Sequence, residues 1–180
     1  MTTTSSNALP STLPQNTPEN LPDGVRRVAA ALQALGHPQT PVMLSDSART
    51  AQQAADALGV ALGQIAKSIV FRLKPDDRAV LVVTSGDLRV DEHKVQALVC
   101  GEGQKLGRAD ADFVKARTGF SIGGVSPLAH AEPPVMLIDE QLLRFEEVWA
   151  AAGHPHGVFR LSPQDLGAWT GAPVADVTVR

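Results

Sequence analysis

What the chain lacks excludes several chemistries at once. Cys100 is its single cysteine in 180 residues, so no internal disulfide can brace the fold, and a reducing compartment suits it. No apolar run approaches the roughly 18 residues that cross a bilayer. The first residues lack the basic and apolar regions of a signal peptide. A cytoplasmic protein without membrane contact is therefore expected. A net charge of −3 offers no general attraction to nucleic acid, so DNA is not an expected partner and any RNA contact would need a local basic patch. There is no GxSxG elbow, no Walker loop and no zinc-like ligand spacing.

What is present describes a soluble globular chain, 43% apolar and 19% charged, of a length that suits one domain. Residues 1–22 are mostly Thr, Ser, Asn and Pro and predict a disordered tail. Residues 23–180 then form the single folded domain. Helical spacing of Val25, Val28, Leu32 and Leu35 predicts a helix over 24–35, and Thr50 caps another over 51–58. Further helices are expected over 91–99, 110–117 and 164–169, the last behind Ser162-Pro163. Strands are expected over 42–44, 65–73, 79–84, 135–138 and 174–179. Residues 148–150 and 158–161 flank a Gly-His-Pro-His-Gly turn and predict a hairpin. Residues 100–107 read as a glycine-rich connection. The fold class is α/β (or α+β): a mixed, mostly antiparallel sheet, curled or barrel-like, with helices around it.

Two features invite chemistry. Residues 65–73 alternate with period two, placing Ile65, Lys67, Ile69, Phe71 and Leu73 on one face. Lys67 is the odd member of an apolar set. It either snorkels at a strand end or lines a cleft, where it could hold a phosphate or a polarised oxygen. The second feature is residues 118–127, ending Gly123-Gly124-Val125-Ser126-Pro127. Adjacent glycines permit close backbone approach, and Pro127 stiffens the exit. That is either a tight turn or a rigid loop holding a polar ligand.

Other candidates have plainer readings. Asp91-Glu92-His93 is a solvated first helical turn, because consecutive helical residues point about 100° apart. His154 and His156 lack a third ligand at metal spacing, and His37 and His130 stand alone beside loops. Cys100 has no neighbour to activate it. The glycines of 101–107 miss a dinucleotide fingerprint by one position. Asp139 ends a strand, as a cap or as a site residue.

Taken in order, several segments resemble the YbaK/EbsC family of aminoacyl-tRNA deacylases, which includes the editing domain of bacterial prolyl-tRNA synthetases. They are TAQQAADALGV (50–60), QIAKSIVF (64–71), ADADFVKARTGFSIGGVSPL (109–128), VMLIDEQL (135–142), Ala-Ala-Gly at 151–153 and LSPQDLGAWTGAPVADV (161–177). The resemblance covers about residues 25–180. It implies a YbaK-like domain whose site joins a strand lysine, carried over to Lys67, to a G-x-x-x-P loop, carried over to Gly123, Gly124, Val125, Ser126 and Pro127. Ile69, Ile122 and, more weakly, Asp139 are implied as substrate-binding positions.

The implied reaction is hydrolysis of the ester that joins a wrong amino acid to the 3′ end of a tRNA, assisted by the substrate's own ribose hydroxyl. It needs no metal and no cofactor. The implied partners are aminoacyl-tRNA, of tRNA-Pro carrying Ala, Cys or Ser, and prolyl-tRNA synthetase. A module that binds tRNA ends or a synthetase without turnover is the alternative, and a hydrolase of another small ester a third. The His154-Pro155-His156 turn departs from the basic turn expected there. Arg72, Lys74, Arg78, Arg89, Lys94, Lys105, Arg108, Lys115 and Arg117 are the candidates for a tRNA-binding patch.

Overall fold

The computed structural model describes residues 20–180; most of the expected tail, residues 1–19, lies outside the described residues. In chain order the elements are α1 (Asp23–Ala34), β1 (Val42–Met43), α2 (Ala51–Leu58), β2 (Ile65–Lys74), β3 (Arg78–Ser85), α3 (Glu92–Val99), β4 (Lys105–Arg108), α4 (Ala111–Thr118), β5 (Val135–Asp139), β6 (Val148–Ala151), β7 (Gly157–Leu161), α5 (Pro163–Thr170) and β8 (Val174–Ala175). Short 3-10 turns at Leu62–Gln64 and Glu140–Arg144 lead into β2 and out of β5. The α/β reading of the sequence, a mixed sheet with surrounding helices, is the architecture the chain adopts.

The eight strands run in the order β1-β7-β6-β2-β3-β5-β8, with β4 pairing β2 off this path. A tight turn makes β2 and β3 antiparallel in register Lys67 to Thr84. Long connections allow parallel crossovers, and β2–β6, β3–β5 and β5–β8 are all parallel. The antiparallel pairs are β1–β7, β2–β3, β2–β4 and β6–β7, so the sheet is more evenly mixed than expected. Nor does it close into a barrel, since β1 and β8 remain its two ends.

Side chains alternate across the sheet and feed two cores. On one face Ala66, Leu81, Val83, Ala150 and Phe159 meet Val28 and Leu32 of α1, Phe120 and Leu166. On the other, Phe71, Leu73, Val80 and Val82 meet Val95 of α3, Leu137 and Val177. Lys67 belongs by alternation to this second face, at the end away from its core.

Two expected elements differ. The connection over 100–107 contains β4, hidden because Lys-Leu-Gly-Arg has a glycine and no apolar alternation; it pairs Phe71 with Arg108 through Lys74 with Lys105. The expected strand over 174–179 is only Val174–Ala175 plus an isolated bridge from Thr178 to Val90. The strand β4 matters for the site. On its outer edge β2 pairs with β6 only at Ile65 and Ala66, and with β4 only from Phe71 onward. Residues 67–70 therefore have no strand partner on that side among the described residues, and the sheet has a gap beside Lys67.

Candidate active site

A cleft of about 310 Å³ lies over this gap, lined by Lys67 and Ile69 of β2, by Ile122, Gly123 and Val125, by Arg49 and Thr50 ahead of α2, and by Trp149 of β6 and Pro155. The residues that position Lys67 are local. Its Nζ donates to the Leu88 carbonyl at 3.0 Å, in the turn that follows β3. Burial pulls its pKa below the ordinary 10.5, and the charge of Asp87 opposes that pull. The result is a half-buried cation that faces a cleft and, among the described residues, has no carboxylate in ion-pair contact.

The loop that shares this cleft is anchored at its entry. Asp110 caps α4 by accepting from the Phe113 amide at 2.8 Å, and Thr118 bonds back to Val114 and to Phe120. Gly123 takes φ +89°, which only glycine adopts without strain. Beside it, a Cβ on Gly124 would lie 2.7 Å from the backbone of His154. The 123–127 loop thus rests directly on the turn of the β6–β7 hairpin.

Of the nine positions named from sequence, the cleft brings together Lys67, Ile69, Ile122, Gly123 and Val125. Gly124, Ser126, Pro127 and Asp139 do not line it. Ser126 is fully buried; its hydroxyl accepts from the Leu128 amide at 3.1 Å and its carbonyl accepts from His130 Nε2 at 2.6 Å. Pro127 borders a separate apolar depression of about 720 Å³ with Leu98 and Trp169. Asp139, also fully buried, accepts from Thr84 Oγ1 and the Ser85 amide, both at 3.1 Å, and caps the following 3-10 turn through Gln141. Its carboxylate is consumed in holding the end of β3 beside β5.

Arg49, Trp149 and Pro155 are cleft residues that the sequence did not disclose. Arg49 donates through Nε to the Asp46 carbonyl at 3.2 Å and meets no carboxylate among the described residues. Its only local signal was a position just before a capped helix. Trp149 enters because β6 pairs parallel to β2, a long-range fact.

The plainer readings also find their places. Asp91 accepts from the amides of His93 and Lys94 and caps α3. Cys100 is the C-cap residue of that helix. The rings of His154 and His156 stand edge to face at 5.4 Å, and His154 Nδ1 accepts from the His156 amide. Burial, then the neighbouring His156, hold His154 below the usual histidine range. Among the described residues no three His, Cys, Asp or Glu converge where an ion could sit, and no helix is long and apolar enough to cross a membrane. A shallow depression of about 830 Å³ joins His154 to Arg26, Arg27 and Lys115. Arg27 is engaged there, bonding the carbonyls of Gly119 and Ala129 and lying 4.5 Å over the Phe120 ring.

The chain is similar to several known proteins. The aminoacyl-tRNA editing domain matches residues 45–168, a span that holds every cleft residue. The Bacillus subtilis (strain 168) protein YwhH is 35% identical over 124 residues, covering 69% of this chain and 76% of YwhH. The proline–tRNA ligase of Leuconostoc citreum (strain KM20) is 33% identical over 93 residues, which are 52% of this chain but only 16% of the ligase. A solved structure of a candidate trans-editing enzyme for prolyl tRNA synthetase superposes with a TM-score of 0.82 at 43% identity, covering 89% of this chain and 99% of that one. The chain belongs to the aminoacyl-tRNA editing domain family.

Proposed function

We propose that the protein hydrolyses the ester of mischarged tRNA, with tRNA-Pro carrying alanine, cysteine or serine as the substrate class. The observation that carries the reading is the meeting of the Lys67 ammonium and the Gly123–Val125 loop in one cleft. The candidate trans-editing enzyme and the proline–tRNA ligase among its relatives support the choice of tRNA.

An aminoacyl ester is already activated, and the ribose carries a vicinal hydroxyl beside it. The protein then has to orient the ester, place a water and stabilise charge, without a nucleophilic side chain. Water adds to the carbonyl carbon, the bond to the ribose oxygen breaks, and that oxygen leaves with a proton. The bare peptide groups of the loop hold the ribose and aminoacyl group. Lys67 binds at the terminal phosphate or ribose and favours the negative charge that develops on the ester. Arg49 adds a second cation to the cleft. The cleft's volume of about 310 Å³ suits a small aminoacyl group.

The test is deacylation of tRNA-Pro charged separately with alanine, cysteine, serine and proline. Faster loss of one wrong ester, with proline spared, supports the reading and names the residue removed. If all four decay at the buffer rate while tRNA still binds, the protein is a tRNA-binding module without turnover.

A further inference from the structure

Lys67 owes its place to the turn after β3. The turn is closed by the Leu88 amide donating to the Ser85 carbonyl at 3.1 Å, and the Leu88 carbonyl takes the Lys67 ammonium. Three side chains brace it. Ser85 Oγ lies 2.5 Å from the Gly63 carbonyl and 2.8 Å from Asp87 Oδ1. Arg144 Nη2 donates to both Ser85 Oγ and Asp87 Oδ1, each at 2.9 Å. Arg144 is itself held by the Gln141 carbonyl and by the Phe145 ring, 4.9 Å below its guanidinium.

The packing leaves the turn little room. A Cβ on Gly86 would lie 2.4 Å from the Leu62 carbonyl, and one on Gly63 would lie 2.7 Å from Phe145 and 3.0 Å from Asp87 Oδ2. The 62–65 segment that leads into β2 and the 85–88 turn that leaves β3 are thus one packed unit, with Lys67 at its edge. Asp87 does not line the cleft. Burial pushes its carboxyl up, but the bonds from Arg144 and Ser85 and the Arg144 charge outweigh this and hold it below the usual range.

We propose that Asp87, braced by Arg144 and Ser85, is the positioning residue for Lys67: it fixes the turn whose carbonyl aims the ammonium, and its negative charge acts on that ammonium. This rests on the editing reading above. The charged groups that face Lys67 are Asp87 from the turn, Arg49 across the cleft and, behind Thr84 on the neighbouring strand, Asp139, whose oxygens are already engaged. Asp87 is the one whose charge acts on Lys67. An acidic side chain that only braced the turn could be replaced by its amide without consequence for the lysine.

The experiment compares Asp87→Asn, which keeps the oxygen that accepts from Arg144 and Ser85, with Asp87→Glu. One readout is the titration of the Lys67 amine, followed by NMR of the reductively ¹³C-methylated protein and assigned with Lys67→Arg. The other is steady-state deacylation, at varied substrate concentration, of the ester that the wild type removes. For Asp87→Asn the proposal expects the Lys67 resonance to titrate at lower pH and kcat to fall about 10-fold to 100-fold. KM should stay nearly unchanged, and Asp87→Glu should recover part of the loss. An unshifted Lys67 titration in a folded Asp87→Asn variant overturns the proposal, as does a loss expressed in KM alone. If the wild type deacylates nothing, the editing reading falls, while the titration still decides whether Asp87 governs Lys67.

Discussion

Half-burying the Lys67 ammonium works against the fold, and on the proposed mechanism it serves the chemistry. Its folded pKa lies below the ordinary 10.5, so near and above that folded value the unfolded chain binds more protons than the native one. Stability therefore climbs as pH rises toward 10.5, and at neutral pH the full cost of holding the charge remains. Lys67→Met is expected to raise the unfolding temperature at pH 7, to flatten the alkaline climb and to lower deacylation about 10²-fold to 10³-fold. Thermal melts at pH 7 and pH 10 check the first two. A lower melting temperature at pH 7 would contradict the picture of a lysine kept for function at some expense of stability. Lys67 was legible in the sequence because period-two alternation is local: one charge on an apolar face is visible without a partner strand. The gap beside it was not, since it depends on where β6 stops and β4 begins along β2. Asp139 was ambiguous for a similar reason. A strand-terminal carboxylate looks the same whether it faces a cleft or, as here, accepts from Thr84 and Ser85.

At the cleft two segments act as a pair, the 123–127 loop and the hairpin turn beneath it. Gly124→Ala would push a methyl into the His154 backbone at 2.7 Å. The expected cost is about 1–3 kcal/mol, read by denaturant titration, with a displaced loop and a fall in deacylation. An unchanged midpoint would show that the two segments are free to separate. His130 fastens the far end of the loop. Burial lowers its pKa from the ordinary 6.5, although the bond between its Nε2 and the Ser126 carbonyl favours the charged form. Folding thus favours the neutral ring over the charged one. Its stabilising share is complete above pH 6.5 and is lost as pH falls below that value, where the unfolded chain takes up a proton first. His130→Gln should shallow the loss of stability between pH 6.5 and pH 5, measured by thermal melts. The Gly-Gly and Ser-Pro chemistry made the loop readable as a rigid unit. Its division into a cleft-facing half and a buried half came from tertiary packing, which no local pattern encodes.

Across the whole molecule, the sheet separates two apolar cores, and the cleft opens where that separation is incomplete. The larger core carries the loop and the β6–β7 hairpin together through Val125, Ala150 and Phe159. Phe159→Ala should cost about 3–5 kcal/mol and reduce deacylation along with the melting temperature, since it loosens the core that Val125 and Ala150 of the cleft share. Calorimetry and activity at one temperature would show whether the two fall together. The class, a mixed sheet with surrounding helices, was legible from the alternation of periodic segments. The parallel pairings and the open sheet were not, because they follow from how long connections cross over.

The most direct measurement is single-turnover deacylation of the preferred mischarged tRNA by wild type and Lys67→Ala, with tRNA binding measured in parallel at one salt concentration. The account predicts a rate lowered about 10²-fold to 10³-fold, with tRNA affinity changed far less. Equal rates for the two proteins would contradict it, and would move the chemistry away from the cleft between Lys67 and the Gly123–Val125 loop.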